Sequence, residues 1–150
     1  MNPEMKIIRE VSNQAENFYN DAVKLGDHAA YTLKAAHRSQ ITSLESIAES
    51  TFKTSDVCDY IKKQTARFPY WRQGFPEYKD PQLGFGERLK SYLEDELAKK
   101  RDAICDKKLD IQDMQERRRI HLLLMRQFIR QVAVEYEYQV SLGSKKRGAQ

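Results

Sequence analysis

Apolar residues return every three or four positions along most of this chain, the signature of helices that bury one face. Ile8, Val11, Ala15, Phe18, Ala22 and Leu25 form one narrow stripe and predict a helix from about Pro3 to Leu25. Proline suits its first turn, where the missing N–H has no intrahelical partner anyway. Gly26 is expected to stop this helix and Asp27 to cap the next segment. Between His28 and Phe52 the pattern is looser: Leu33 begins a short piece, and Ile41, Leu44, Ile47 and Ala48 share a face of a helix that Ser39 can cap. Thr54 or Ser55 caps another helix, which carries Val57, Tyr60, Ile61 and Gln64 and ends near Phe68, because Pro69 disfavours helical geometry in the residue before it. Phe85, Leu89, Tyr92 or Leu93, Leu97 and Ile104 mark a further helix.

The last segment runs from Leu109 to Leu142 without glycine or proline, with Asp110 as its expected cap and Asp113 favoured in the first turn by the helix dipole. Its centre is Met125, Phe128, Ile129 and Val132. Tyr136 and Val140 keep the helical register through "VAVEYEYQV", the one stretch that alternates like a strand. Long amphipathic helices with short connections predict an all-α, single-domain bundle of about five to six helices over residues 1–143. The tail "GSKKRGAQ" offers nothing to a core, so 144–150 is expected to be flexible and basic.

One stretch departs from this rhythm. "ARFPYWRQGFPEYKDPQLGFG", Ala66 to Gly86, holds three of the four prolines and three of the six glycines, so it is not a continuous helix. Its six aromatic rings argue against a disordered linker, since rings of that size seek burial. Two readings remain: a platform on which unpaired bases stack, with Arg67 and Arg72 at its edge, or an ordered lid over the bundle. The lid is favoured, with Phe68, Trp71 and Phe85 packed inward and Tyr70, Phe75 and Tyr78 left to face a partner.

The chemistry of an enzyme is hard to find. Glu-x-x-His pairs of a di-metal bundle are missing, because Leu25, Lys34 and Arg118 stand three residues before His28, His37 and His121. Cys58 and Cys105 lack metal-ligand spacing and read as core or lightly exposed thiols. Glu94, Asp95 and Glu96 point different ways around a helix, and "GFGERLK" lacks the phosphate-loop spacing. No catalytic residue, metal or cofactor is expected. The longest apolar run, "IHLLLM", is too short for a membrane span, and no leader is visible, so a soluble cytoplasmic protein is expected.

Positive charge is unevenly spread. The chain carries a net +4, whereas Gln115 to Gln150 has eight basic and three acidic residues, a net +5 in that segment alone. At about 100° per residue, Arg119, Arg126 and Arg130 fall within roughly 40° of one another, nearly opposite the apolar centre of their helix. A second basic region spans Lys34 to Arg72 and includes Arg38, Lys53, Lys62, Lys63, Arg67 and Arg72, with Lys63 and Arg67 on one helix face. Arginines along a rigid rod suit a phosphate backbone; a solvated polar face is the plain alternative.

The segments "LKAAHRSQITSLESIAES", "VCDYIKKQTARF" and "MRQFIRQVAVEYEYQ" together resemble the small helical subunits of type III CRISPR effector complexes, which serve antiviral defence. The resemblance implies a non-catalytic subunit that stacks with copies of itself and with other subunits in a ribonucleoprotein. It would hold the RNA guide–target duplex, or the target strand, by its phosphates. The residues it points to are Arg38 beside Ser39-Gln40-Ile41, then Lys62, Lys63 and Arg67, then Arg126 and Arg130. Charge segregation adds Arg72 and Arg119. The alternative is a helical interaction or dimerisation scaffold that binds no nucleic acid.

Overall fold

The computed structural model describes the backbone of residues 1–148 and the side chains of residues 1–143. The chain forms α1 (Pro3–Asn17), α2 (Tyr19–Leu33), α3 (Arg38–Ser50), α4 (Thr54–Arg67), α5 (Phe85–Ser91), α6 (Leu97–Asp102) and α7 (Met114–Gly148). α5 and α6 belong to one rod, joined by a π-helical turn at Tyr92–Glu96 and continued by another at Ala103–Lys108. Among the described residues there is no strand, so the all-α bundle of five to six helical rods is the observed architecture. Of the tail expected to be flexible and basic, 144–150, residues 144–148 continue the backbone of α7; the side chains of 144–148 and residues 149–150 lie outside the described residues.

α7 is the central rod. Met125, Phe128, Ile129, Val132, Tyr136 and Val140 are all buried, as their spacing predicts, and α1, α2, α3 and α6 pack around them. α1 and α2 are nearly the single helix expected from Pro3, interrupted only at Phe18. The i→i−4 bonds continue across it, from Phe18 N to Gln14 O and from Ala22 N to Phe18 O. Phe18 itself is fully buried and meets Phe128 edge-on at 5.4 Å. The inward stripe uses Ile7; Ile8 is 53% exposed, which corrects the sequence assignment by one residue.

Gly26 does not stop the helix. It sits inside α2, which runs on to Leu33, and an added Cβ there would lie 2.5 Å from Glu135 Cβ and 2.8 Å from Val132 O. Glycine is needed because α2 and α7 cross almost backbone to backbone. Asp27, expected as a cap, instead lies inside α2 at the same crossing. Its carboxyl is pushed up to about 7, first by burial and then by the hydrogen bond and the charge of Glu135. A bare carboxylate there would face that of Glu135, and the repulsion favours the protonated form of Asp27. Leu33 likewise ends α2 and does not begin a new piece. Lys34 turns the chain with φ 53°, and the buried Tyr136 hydroxyl donates to its carbonyl.

Three further caps differ from expectation: neither Thr54 nor Ser55 caps α4, because both lie inside the helix and its N-cap is Lys53, with no side-chain bond. No side chain caps α3, so Ser39 has no such role; α7 is capped by Asp113, whose Oδ2 accepts from Glu116 N at 2.9 Å, while Asp110 takes the tight turn before it with φ 52°. In the α5–α6 rod, Phe85, Leu89, Leu93 and Leu97 are all fully buried at strict four-residue steps. An ordinary α-helix would rotate each step about 40° off the core. The wider π-helical turn absorbs that drift and keeps Leu93 and Leu97 inward.

The aromatic stretch is an ordered lid. Trp71 and Phe85 are fully buried and Phe68 partly so, in line with expectation. Tyr70, Phe75 and Tyr78 are packed too, which corrects their assignment to a partner-facing role: Tyr70 stacks on His37 at 3.8 Å, while Phe75 and Tyr78 close over His28. The lid folds back on itself where Phe75 N donates to Pro81 O, an approach so close that a Cβ on Gly74 would overlap that oxygen. Arg88 lies 3.7 Å over the Tyr78 ring and pairs with Asp80 at 3.1 Å. Burial pushes the His28 pKa down to about 4, so its imidazole is neutral, and Nε2–H donates to Gln73 O at 2.9 Å.

Gly26→Ala gives the crossing a sharp test. Elsewhere in a helix this change stabilises by about 1 kcal/mol. At Gly26 it must push α2 from α7, and we expect a loss of about 1–3 kcal/mol in urea unfolding; a gain would contradict the close approach.

Candidate nucleic-acid interface

The arginines and lysines picked out in the sequence do not form one surface. Arg38 pairs with Glu137 at 2.9 Å and ties the start of α3 to α7. Arg72 donates to Thr65 O at 2.8 Å and Ala66 O at 3.1 Å, closing the C-terminus of α4. Lys62 stands 3.9 Å from Asp59, Lys63 is exposed, and Arg67 sits 5.2 Å over the Phe68 ring. These three occupy the last part of α4, roughly 12–20 Å along the helix from its first residue.

On α7 the expected stripe is real as a register but is not an open face. α3 and α1 lie beside it. Arg130 pairs with Glu49 at 2.5 Å. Arg119 is held by Glu116 at 2.8 Å and by Glu4 at 2.6 Å, and both carboxylates raise its pKa further. Arg126 is different: Nε donates to Ala48 O at 2.6 Å and Nη2 to Thr51 O at 2.9 Å. A cation at a helix C-terminus satisfies carbonyls left without helical partners and meets the negative end of the dipole. These acceptors are neutral, so Arg126 keeps its whole charge while Arg119 and Arg130 are offset by carboxylates.

The Ser-Gln-Ile segment also has a structural use. Gln40 Oε1 accepts from Trp71 Nε1 at 2.6 Å and from Gln64 Nε2 at 2.8 Å, and Gln40 Nε2 donates to Tyr70 OH at 2.6 Å. One amide therefore joins α3, α4 and the lid. His121 is consumed similarly, between Leu93 O and Arg101 Nη1. Burial pushes the Cys58 thiol up to about 11 and raises that of Cys105, which disfavours the thiolate a nucleophile needs. Among the described residues no group of three or more His, Cys, Asp or Glu is placed to hold a metal, and no helix is long and apolar enough to cross a membrane.

What the structure does assemble is a cleft of about 750 Å³ between the start of α4 and the first half of α7. Leu122 and Leu123 line it together with Lys53, Arg118, Arg119 and Arg126, and Phe52 stands at its side. Among the described residues that line it there is no carboxylate. Arg118 is exposed and makes none of the ion pairs that Arg117 and Arg119 make on either side. The cleft thus gathers three cations with no carboxylate partner among the described residues: Lys53, Arg118 and Arg126. Arg119 and Arg126 belong to the sequence-derived set; Lys53 and Arg118 were visible as basic but not singled out. Phe52, 96% exposed, left a signal too, as a large apolar residue outside every helical register.

The two ways of holding an arginine should separate in stability. Arg126→Ala removes two bonds to part-buried carbonyls, and we expect a loss of about 1–3 kcal/mol in urea unfolding; Arg130→Ala, an exposed pair, should cost at most about 1 kcal/mol. Equal losses would contradict the distinction. Comparisons with protein-family models, with curated proteins and with solved structures find no match to this chain, so the functional reading rests on the chemistry of its own residues.

Proposed function

We propose that this protein is a non-catalytic RNA-binding subunit that grips the phosphate backbone, and that the cleft between α4 and α7 is its contact surface. The observation that carries the reading is the set of three uncompensated cations, Lys53, Arg118 and Arg126, in a concave site without a lining carboxylate among the described residues. Each phosphate bound there releases condensed counterions, and none of the three cations has to abandon a carboxylate first. Arg126 is fixed in place by α3, so little of its freedom is lost on binding. The resemblance to small subunits of type III CRISPR effector complexes supports placement in such a ribonucleoprotein, beside other subunits or copies of itself. Lys62, Lys63 and Arg67, exposed on the far part of α4, are a secondary set of phosphate contacts in this reading.

The scaffold alternative draws on the apolar part of the same cleft, Leu122, Leu123 and Phe52. Charge reversal divides the two. Lys53→Glu with Arg118→Glu removes cations that hold nothing else in the fold, so stability should be unchanged. RNA affinity should fall by at least tenfold, whereas a protein scaffold would assemble as before.

With three phosphates engaged, the slope of log affinity on log salt should be about −2 for single-stranded RNA. Anisotropy of labelled RNA between about 50 and 200 mM salt should then show roughly a 20-fold loss of affinity. Binding that is absent, or indifferent to salt, would overturn the reading.

A further inference from the structure

Phe52 is left unexplained by a purely electrostatic site. Among the described residues it is the most exposed large hydrophobic side chain, at 96%, while Phe18, Trp71, Phe85 and Phe128 are fully buried. It stands on the short connector between α3 and α4, and that connector is pinned from both sides. Lys53 N donates to Thr51 Oγ1 at 3.0 Å, and Thr51 Oγ1 donates to Asp56 Oδ2 at 2.5 Å. From α7, Arg126 holds Thr51 O and Ala48 O. The ring is therefore presented by a fixed backbone at the wall of the cationic cleft, and none of the described residues covers it.

We propose that the cleft is a single-strand site, in which Phe52 stacks on one unpaired base while Lys53, Arg118 and Arg126 hold the adjoining phosphates. The proposal rests on the RNA-binding reading above and names its substrate class. A base offers a flat apolar face joined to a phosphate of fixed negative charge, and the cleft pairs a bare phenyl ring with uncompensated cations in the same way. Its volume, about 750 Å³, is within the range that accepts a small organic ligand. In a duplex the base faces are hidden in the stack, so a duplex can use the cations but not the ring. The site should therefore prefer single strands and read no particular sequence, because every base has such a face. An acidic peptide with an apolar anchor would use the same charges; it differs in needing only an apolar side chain, not a flat ring.

The test compares a labelled oligouridylate of about 15 nucleotides with an RNA duplex of equal length. It uses the whole chain as wild type, F52A, F52L and F52W, with the Lys53→Glu, Arg118→Glu double variant as reference. The ring is exposed, so all Phe52 variants should melt like wild type. F52A and F52L should lose roughly 5- to 100-fold in single-strand affinity, with duplex affinity and salt slope unchanged, and F52W should restore it. A 2-aminopurine base in the strand should be quenched by wild type and F52W but not by F52L. If F52A binds single strands like wild type while the double charge variant does not, the stacking proposal falls and the phosphate reading stands. Restoration by leucine, or an equal loss on both RNAs, would identify an apolar docking site and also overturn the proposal. Failure of wild type to bind either RNA would overturn both.

Discussion

The close crossing of α2 and α7 at Gly26 is the constraint on which the rest of the bundle depends. With no side chain at that point, Glu135 Cβ and Val132 O come within reach of the α2 backbone, and the central helix can be surrounded rather than merely flanked. The consequence on one side is a half-buried acidic contact: Asp27 lies against Glu135, and its pKa is pushed up to about 7. One residue further on, α2 places His28 under the aromatic lid, neutral and bonded to Gln73. The other flank of α7 is left to α3, and Arg126 locks the two together through the carbonyls of Ala48 and Thr51. Close packing on one face thus decides where a cation is fixed on another.

How each arginine is held decides what it can still do. Arg38, Arg119 and Arg130 are paired with Glu137, with Glu4 and Glu116, and with Glu49, so their charge is spent within the fold. Arg126 and Arg72 are bound by backbone carbonyls and remain net positive. A count of basic residues along α7 treats all of these alike. Their partners separate a structural stitch from a cation that an external phosphate can use, and they reduce the α7 stripe to one fixed guanidinium beside Arg118 and Lys53, which have no carboxylate partner among the described residues. The aromatic lid obeys the same logic of internal use: its rings close over His28 and His37, and among the described residues Phe52 is the most exposed ring.

Much of the fold was legible in the sequence because a helix that buries one face must repeat its apolar residues. α3, α4 and α7 keep closely to their stripes, and α4 ends where Pro69 requires. The failures share a cause, namely signals with two meanings. A glycine after a long stripe reads as a stop, and Gly26 is a crossing point, decided by a residue more than a hundred positions away. Asp110 and Asp113 are equally good caps until the turn at Asp110 is known. Ile7 and Ile8 are neighbours, and only the packed partner tells which faces in. Tyr70, Phe75 and Tyr78 were assigned outward because nothing local shows that Gly74 folds the lid against Pro81. The candidate cleft was half legible: charge and register pick out Arg119 and Arg126, but the meeting of α4's first turn with α7 is a tertiary fact. Phe52 was given no role, although a large apolar residue outside every stripe is the pattern a presented ring leaves.

The central claim, that RNA is held in the cleft between α4 and α7, is tested most directly by ultraviolet cross-linking of the protein to RNA, with the attachment sites mapped by mass spectrometry. The account predicts adducts at Phe52 and in the peptides that carry Lys53 and Arg118. Adducts confined to Lys62, Lys63 and Arg67, or to the aromatic lid between Phe68 and Phe85, with the cleft peptides unmodified, would contradict it.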